Sequence, residues 1–266
     1  MHFTLNKRVV RERLLAAVSR PAEAPVLVFG NQKSGTSAIS GLLAEATGLR
    51  LVSDFAGAQE PYIGELVRGE TSAAAFVKRN AWTFSADIVK EPGMTFAAPA
   101  LMDHFARSRA ITVIRNPWNN IRSMLERLDL PGDADRVMPG SRRLNRTWQS
   151  ILSGADLGLP PGHYIDILAT RWLRAVEMCE RLDARNVVIR YEDFAREKQR
   201  TIARLAEGLG LHIVSDISEK LDHAFQPRGS GADPAEFFGK NLGRITAICS
   251  AKAEALGYVR ASAGGA

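Results

Sequence analysis

A short turn bounded by glycines carries the residue types that bind a phosphate group. It reads Gly-Asn-Gln-Lys-Ser-Gly-Thr-Ser over residues 30–37 and follows an apolar run at 26–29. Between a strand and a helix, the backbone N–H groups of such a turn and the positive end of the helix point toward one anion. Lys33 adds a full charge, and Thr36 and Ser37 add hydroxyl donors. The stretch predicts a phosphate-binding loop; the alternative is a turn without a ligand.

This loop differs from the P-loop of nucleoside triphosphatases. The spacing of its two glycines fits the Walker A pattern, but Thr36 stands where that pattern has its lysine, which is Lys33 here. A magnesium-dependent enzyme also needs an acidic metal ligand at the end of a neighbouring strand. The apolar run 110–114 instead ends in Arg115, whose charge repels a metal. These residues predict a phosphate that is bound with no metal required.

Three motifs together resemble the sulfotransferases that use 3′-phosphoadenosine 5′-phosphosulfate (PAPS). Residues 32–37 look like the loop that holds the 5′-phosphosulfate in that family. The family's 3′-phosphate motif is similar to an apolar strand, Arg115, an Asn-Pro pair and Ser123, with Asn116 in place of the commoner aspartate. The third motif is a strand followed by Tyr191-Glu-Asp. The resemblance covers most of the chain, and it is the order of the three motifs that makes it specific.

The resemblance implies an enzyme that transfers a sulfuryl group from PAPS to an acceptor hydroxyl, or less often an amine, and releases 3′-phosphoadenosine 5′-phosphate (PAP). Tyr191 would contact adenine, although core packing is an equal alternative for it. Arg228 and Gly229 resemble a late basic element over the 3′-phosphate, although short Arg-Gly loops are common. The implied nucleotide-binding residues are Gln32, Lys33, Ser34, Gly35, Thr36, Ser37, Arg115, Ser123, Tyr191, Arg228 and Gly229.

A nucleotide with a 3′-phosphate needs a second anion site apart from its 5′ end. Arg115 offers a planar, permanently charged fork that suits phosphate oxygens. Ser123 lies about two turns into the helix predicted at 118–128, so its hydroxyl can face the same phosphate. For each residue alone, a surface position without a ligand is the alternative. Together with the loop at Lys33, the pair predicts two anion sites in one crevice.

Sulfuryl transfer needs a group that stabilises the leaving phosphate and a base. Negative charge grows on the bridging phosphate oxygen, and Lys33 is placed to stabilise it. The acceptor hydroxyl must lose its proton to a base. The cytosolic small-molecule branch of the family uses a histidine at a strand end, where this chain has Pro92. The carbohydrate and bacterial branch uses a glutamate, and this chain resembles that branch more.

Two glutamates are candidates for the base. Glu60, which lies 27 residues after Lys33, resembles the glutamate of the carbohydrate branch and is the first choice. Its structural alternative is a residue that merely precedes a helix starting at Pro61. Glu91 is the second choice, and Lys90 would orient the acceptor or the sulfuryl group. The implied catalytic residues are thus Glu60, Lys33, Glu91 and Lys90.

Alternating apolar runs and amphipathic stretches predict an α/β fold. Short apolar runs predict strands at 25–30, 49–53, 86–89, 110–114 and 186–190. Helical spacing predicts helices at 5–18, 37–48, 99–107, 118–128, 144–152, 167–182 and 194–209. Such alternation favours a three-layer sandwich with a central, mainly parallel sheet flanked by helices. This is the architecture of P-loop-containing nucleotide hydrolases.

We expect one domain over residues 1–266. Within it, 1–24 holds an N-terminal helix, and 262–266 is a frayed tail of small residues. The segment 129–162 is rich in proline and glycine and predicts an excursion over the sheet edge. It is a candidate cover for the substrate, with an ordinary surface insertion as the alternative.

Composition narrows the functional classes. The chain has 35 Lys and Arg against 29 Asp and Glu, a net charge of +6, and 45% hydrophobic residues, which is typical of a globular protein. The basic residues are spread along the chain, so we expect no nucleic-acid partner. No apolar run is long enough for a membrane span, and no secretory segment is evident. Two cysteines, Cys179 and Cys249, favour a reducing compartment and hence the cytoplasm.

The sequence leaves several points open. The acceptor is a small molecule or a carbohydrate, and the oligomeric state is not indicated. A P-loop kinase with an unusual loop is the alternative enzyme, and a nucleotide- or RNA-binding module is the alternative without catalysis. None of the five histidines has a spacing that indicates a metal ligand or a base.

Overall fold

The computed structural model describes residues 7–59, 61–136, 144–223 and 231–258. The predicted site residues Glu60, Arg228 and Gly229 therefore lie outside the described residues, as does the predicted tail at 262–266.

A five-stranded sheet forms the centre of the fold. All its strands are parallel, and their order across the sheet is β2-β3-β1-β4-β5. The strands are β1 (Val26–Phe29), β2 (Leu51–Ser53), β3 (Ile88–Lys90), β4 (Ala110–Ile114) and β5 (Asn186–Arg190). All five predicted strands are confirmed, because buried parallel strands appear in a sequence as continuous apolar runs.

Helices connect these strands. They are α1 (Lys7–Val18), α2 (Thr36–Thr47), α3 (Tyr62–Val67), α4 (Ala73–Arg79), α5 (Ala81–Phe84), α6 (Ala98–His104), α7 (Pro117–Leu128), α8 (Arg146–Ser153), α9 (Tyr164–Glu180), α10 (Tyr191–Arg196), α11 (Lys198–Leu209), α12 (Pro234–Phe238) and α13 (Leu242–Ala255). The helix predicted at 194–209 is two helices, because the backbone of Glu197 is not helical (φ −134°, ψ 60°) and separates α10 from α11.

Alternation along β1 shows how the three layers form. Val26 and Val28 pack into a core with α2 and α11 on one face of the sheet. Leu27 and Phe29 point to the other face, where they pack against α4, α5 and α6. Helices α7, α9 and α13 cover the β4 side of that second face. The predicted three-layer α/β sandwich is confirmed.

The strand order places the predicted loops together. After β1 the chain forms β2 and β3 on one side of it, and then β4 and β5 on the other. Ligands of open parallel sheets bind at the carboxyl edge, where the strand order reverses in this way. The segments that follow β1, β3, β4 and β5 all meet at this edge.

Part of the segment 129–162 is described. Its helix α8 was predicted at 144–152 and packs on α9. The hydroxyl of Tyr164 donates to the carbonyl of Pro131 at 2.8 Å and so fastens the start of the segment to α9. Residues 137–143 lie outside the described residues.

Both cysteines are buried thiols. Burial raises the pKa of Cys179 to about 11 and that of Cys249 to about 12.

No helix in the described part of the chain is long and apolar enough to cross a bilayer.

Candidate active site

A cavity of about 780 Å³ opens at the carboxyl edge of the sheet. It brings together residues that are far apart in the sequence. Of the predicted site residues, those that line it are Gln32, Lys33, Gly35, Thr36, Ser37, Lys90, Glu91, Arg115, Ser123 and Tyr191. Seven lysine or arginine side chains and three carboxylates border the cavity, so its wall is positively charged.

The loop between β1 and α2 has an unusual backbone. Gly30 and Gly35 have φ of 145° and 102°, and Lys33 has a φ of 64°, which a side chain with a Cβ rarely adopts. A Cβ on Gly35 would lie 2.2 Å from a ring carbon of Tyr191, so only glycine fits there. Gly35 also makes no side-chain cap on α2. Gly35, Thr36 and Ser37 line the cavity, so the N-terminus of α2 lies at the cavity wall, where a helix end favours an anion.

Side chains from other elements hold this loop in place. Thr95 accepts a hydrogen bond from the N–H of Gly30 at 2.8 Å and donates to its carbonyl at 3.1 Å. Asn120 accepts from the side-chain amide of Asn31 and donates to the carbonyl of Gln32, both at 2.8 Å. Because these anchors are buried, the loop is preorganised before any ligand binds.

Ser34 does not take the position expected of a phosphate ligand. Its side chain is 1% exposed and is not part of the cavity wall. The hydroxyl lies under the loop next to Gly30, and its backbone N–H donates to the carbonyl of Asn31 at 3.1 Å. Ser34 thus supports the turn, while Thr36 and Ser37 are the hydroxyls at the cavity.

Arg115 links the loop to a second part of the cavity. Its Nη1 donates to the carbonyl of Lys33 at 2.8 Å, and its guanidinium lies over the ring of Tyr191, 4.5 Å from the centroid. Its Nε is buried without a hydrogen-bond partner in the described part of the chain. Burial lowers the pKa of Arg115, and the nearby Tyr191 and Glu192 oppose that shift. Arg115 and Ser123 both line the cavity, so a cation and a hydroxyl are available there for a second anion site.

Lys33 stands in a strongly positive environment. Its pKa is lowered, first by burial and then by the charges of Arg127 and Arg115. Arg127 borders the same cavity from the last turn of α7. A polyanionic ligand would relieve this repulsion, so the cavity favours a ligand with several negative charges.

The end of β3 supplies a lysine and a glutamate. Lys90 is 1% exposed and pairs with Asp54 at 2.8 Å. Although part of Glu91 is accessible, its carboxyl group is buried, and burial together with the charge of Asp54 raises the pKa of Glu91 to about 7. A carboxyl group with a pKa near neutrality is suited to accept a proton at physiological pH.

Solved structures with this architecture are known, although no family model and no curated protein sequence matches the chain. Sulfotransferase STF9 from Mycobacterium avium matches with a TM-score of 0.60 at 14% identity, over 96% of this chain and 83% of that chain. The chain has the sulfotransferase fold. Mouse sulfotransferase SULT7A1, in a complex with PAP, matches with a TM-score of 0.51 at 12% identity, over 92% of each chain.

The sulfotransferase fold of this chain contains site residues that no motif indicated. Thr95 and Asn120 fix the loop, and Asp54 fixes Lys90. Arg171 on α9 donates a hydrogen bond to Gln32. They lie 36 to 139 positions from their partners, and a polar residue in a helix gives no local signal of such a contact.

Among the described residues, no cluster of three His, Cys, Asp or Glu side chains could hold a metal ion.

The raised pKa of Glu91 predicts an effect on stability. Folding favours the protonated form, so its stabilising contribution is complete below the unfolded pKa of about 4.5 and is lost as the pH rises through about 7. We expect Glu91→Gln to have a higher melting temperature than the wild type at pH 8, and a similar one at pH 4. Thermal melts of both proteins across this range measure the difference; parallel curves would contradict it.

Proposed function

We propose that the protein is a sulfotransferase that moves a sulfuryl group from PAPS to an acceptor hydroxyl, or less often an amine. One observation carries the proposal: a single cavity combines the anion-binding loop at Lys33 with a second cationic position at Arg115 and Ser123. A donor with a 5′-phosphosulfate and a 3′-phosphate matches these two positions. The shared fold with sulfotransferases, including one in complex with PAP, supports this.

The proposed reaction is an in-line displacement at sulfur. The acceptor oxygen forms a bond to sulfur while the bond between sulfur and the bridging phosphate oxygen breaks. The electron pair of that bond stays on PAP, and the acceptor proton goes to a carboxylate. Lys33 stabilises the charge that grows on the bridging oxygen. The donors of the loop need no reorganisation, since Thr95 and Asn120 already fix it.

Either of two glutamates serves as the base in this proposal. Glu91 is supported by its place on the cavity wall and by its pKa near 7. Glu60 stays a prediction, because it lies outside the described residues. Lys90 is held by Asp54 next to Glu91, so it is placed to orient the acceptor or the sulfuryl group.

The acceptor side of the cavity involves the segment 129–162. Asn145, Thr147 and Trp148 of this segment border the cavity. An aromatic ring with neighbouring polar groups suits a small molecule or a carbohydrate with several hydroxyls. We propose that this segment covers the acceptor within a single domain, and that the enzyme acts in the cytoplasm.

Ligand binding and transfer of label test the function. We expect PAP to raise the melting temperature without magnesium, and sulfur-labelled PAPS to transfer its label to an acceptor from a panel of sugars and phenols. Selective stabilisation by magnesium–ATP would instead favour a kinase. Salt-dependent binding to long polyanions alone would favour a nucleic-acid-binding module.

Replacement of Arg115 tests the second anion position. We expect Arg115→Ala to reduce the preference for PAP over adenosine 5′-phosphate by on the order of 10–100-fold, since a charge-assisted hydrogen bond contributes roughly 1.5–3 kcal/mol. Calorimetric titration measures the affinity for each nucleotide and hence the ratio of the two. Loss of the bond from Arg115 to the Lys33 carbonyl would affect both nucleotides alike, so the ratio reports the contact with the 3′-phosphate. The exposed Arg196→Ala is the control. An unchanged preference would exclude Arg115 from the 3′-phosphate site.

A further inference from the structure

Arg171 is a buried charge that the proposed reaction has not yet used. It lies on α9, is 1% exposed, and forms an ion pair with the carboxylate of Asp156. Its guanidinium carbon lies 4.3 Å from the centre of the Phe96 ring. Its Nε donates to Oε1 of Gln32 at 3.1 Å, which connects α9 to the phosphate-binding loop.

This ion pair is not explained by stability alone. Burying two charges carries a large desolvation cost, and apolar residues of similar size often replace such pairs without loss of stability. The second carboxylate oxygen of Asp156 also has no hydrogen-bond partner in the described part of the chain. A charged pair that is imperfectly satisfied and bonded to a loop residue suggests a role in setting that residue's geometry.

The bond to Arg171 decides which way the side-chain amide of Gln32 faces. A guanidinium has only donors, so it can bond to the amide oxygen but not to the amide NH₂. The oxygen is therefore turned toward α9, and the NH₂ group is left as the donor of a residue that borders the cavity. Gln32 precedes Lys33, while the ring of Tyr191 lies against Gly35 at the other end of the loop.

We propose that Arg171, held by Asp156, is a positioning residue that orients the Gln32 amide so that its NH₂ donates to the oxygens of the transferred sulfuryl group. This inference rests on the proposed function. It also links the segment 154–158, which contains Asp156, to the donor site. The positive end of the amide dipole faces the group on which negative charge is redistributed, and a preorganised donor of this kind lowers the barrier.

A double-mutant cycle tests the inference. We expect Gln32→Met to lower kcat by on the order of 10–100-fold, with little change in the KM for PAPS or the Kd for PAP, which lacks the sulfuryl group. Arg171→Met should lower kcat similarly, but should have no further effect when Gln32 is already methionine. Arg171→Lys should pair with Asp156 yet fail to restore kcat, because it lacks the planar fork.

Controls separate folding from positioning. Arg174→Met removes another arginine of α9, one that donates to the carbonyl of Leu157 at 3.1 Å and not to Gln32, and should keep the wild-type kcat. If Arg171→Met does not fold, Arg171→Met with Asp156→Leu removes both charges together and replaces it in the cycle. Wild-type kcat in Gln32→Met, or additive losses in the cycle, would overturn the inference. Lack of PAPS turnover in the wild type would instead overturn the proposed function.

Discussion

Replacement of Lys33 by alanine is expected to lower kcat/KM for PAPS by on the order of 10²–10³-fold, since that is the usual loss when one preorganised group that stabilises developing charge is removed. Lys33 borders the cavity at the loop between β1 and α2, and its pKa is lowered first by burial and then by repulsion from Arg127 and Arg115. The negative charges of bound PAPS would offset the repulsion between Lys33 and these cations. The charge that develops on the leaving phosphate would offset it further. The loss should therefore appear mainly in kcat, as measured by initial rates at saturating PAPS.

The controls for this variant use the backbone of the loop. Lys33 has a left-handed backbone conformation (φ 64°). Alanine also has a Cβ and would have similar strain in this conformation, so the substitution removes the charge without adding backbone strain. The melting temperature should stay close to that of the wild type. Lys78→Ala, an exposed lysine on α4 that does not border this cavity, should keep full activity. Wild-type turnover in Lys33→Ala would remove the lysine from the mechanism.

The sequence was informative where chemistry or burial leaves a local pattern. The strand at 110–114 is buried at every position and apolar at all but Thr112, because both faces of the sheet are covered. The turn at 30–37 is predictable because glycines and small polar residues that follow an apolar run indicate a tight turn between a strand and a helix. The placement of Lys33 and Arg115 around one cavity then followed from the parallel sheet, which brings strand ends to one edge.

The rest of the site depends on contacts that have no local signature. Thr95, Asn120 and Arg171 reach the loop from segments 65 to 139 residues away, and each would be equally plausible as an ordinary helix or turn residue. Ser34 was expected to bind phosphate, but the turn conformation directs its side chain beneath the loop. The position of each side chain at this loop depends on how neighbouring elements pack around the turn. The spacing of residues in the sequence does not encode this packing.

The end of β3 shows why the base could not be assigned from spacing. Sequence distance from Lys33 favoured Glu60, whereas the pKa of Glu91 depends on burial and on Asp54, which is 37 positions away. Lys90 is neutralised in part by its pair with Asp54, so it does not hold Glu91 in the charged form as strongly as an unpaired lysine would. The pH dependence of the reaction therefore separates the two candidates.

If Glu91 is the base, kcat/KM should rise with pH through about 7, because only the carboxylate accepts a proton. Glu91→Gln should lower kcat by on the order of 10²–10⁴-fold, which is the usual contribution of a general base, and should remove this acid limb. PAP affinity should change little, since the glutamine keeps the size of the side chain and the acceptor of the bond from the Gly93 N–H.

Glu60→Gln provides the opposing test. If Glu60 is the base, this variant should be the inactive one and should lose the acid limb of the pH profile, which Glu91→Gln should then retain. Glu70→Gln, at an exposed glutamate paired with Arg68, is the matched control and should leave both rate and pH profile unchanged. Full activity of Glu91→Gln with an unchanged pH profile would exclude Glu91. Loss of activity in both variants, with the limb near 7 retained only in Glu60→Gln, would assign the proton transfer to Glu91 and a supporting role to Glu60.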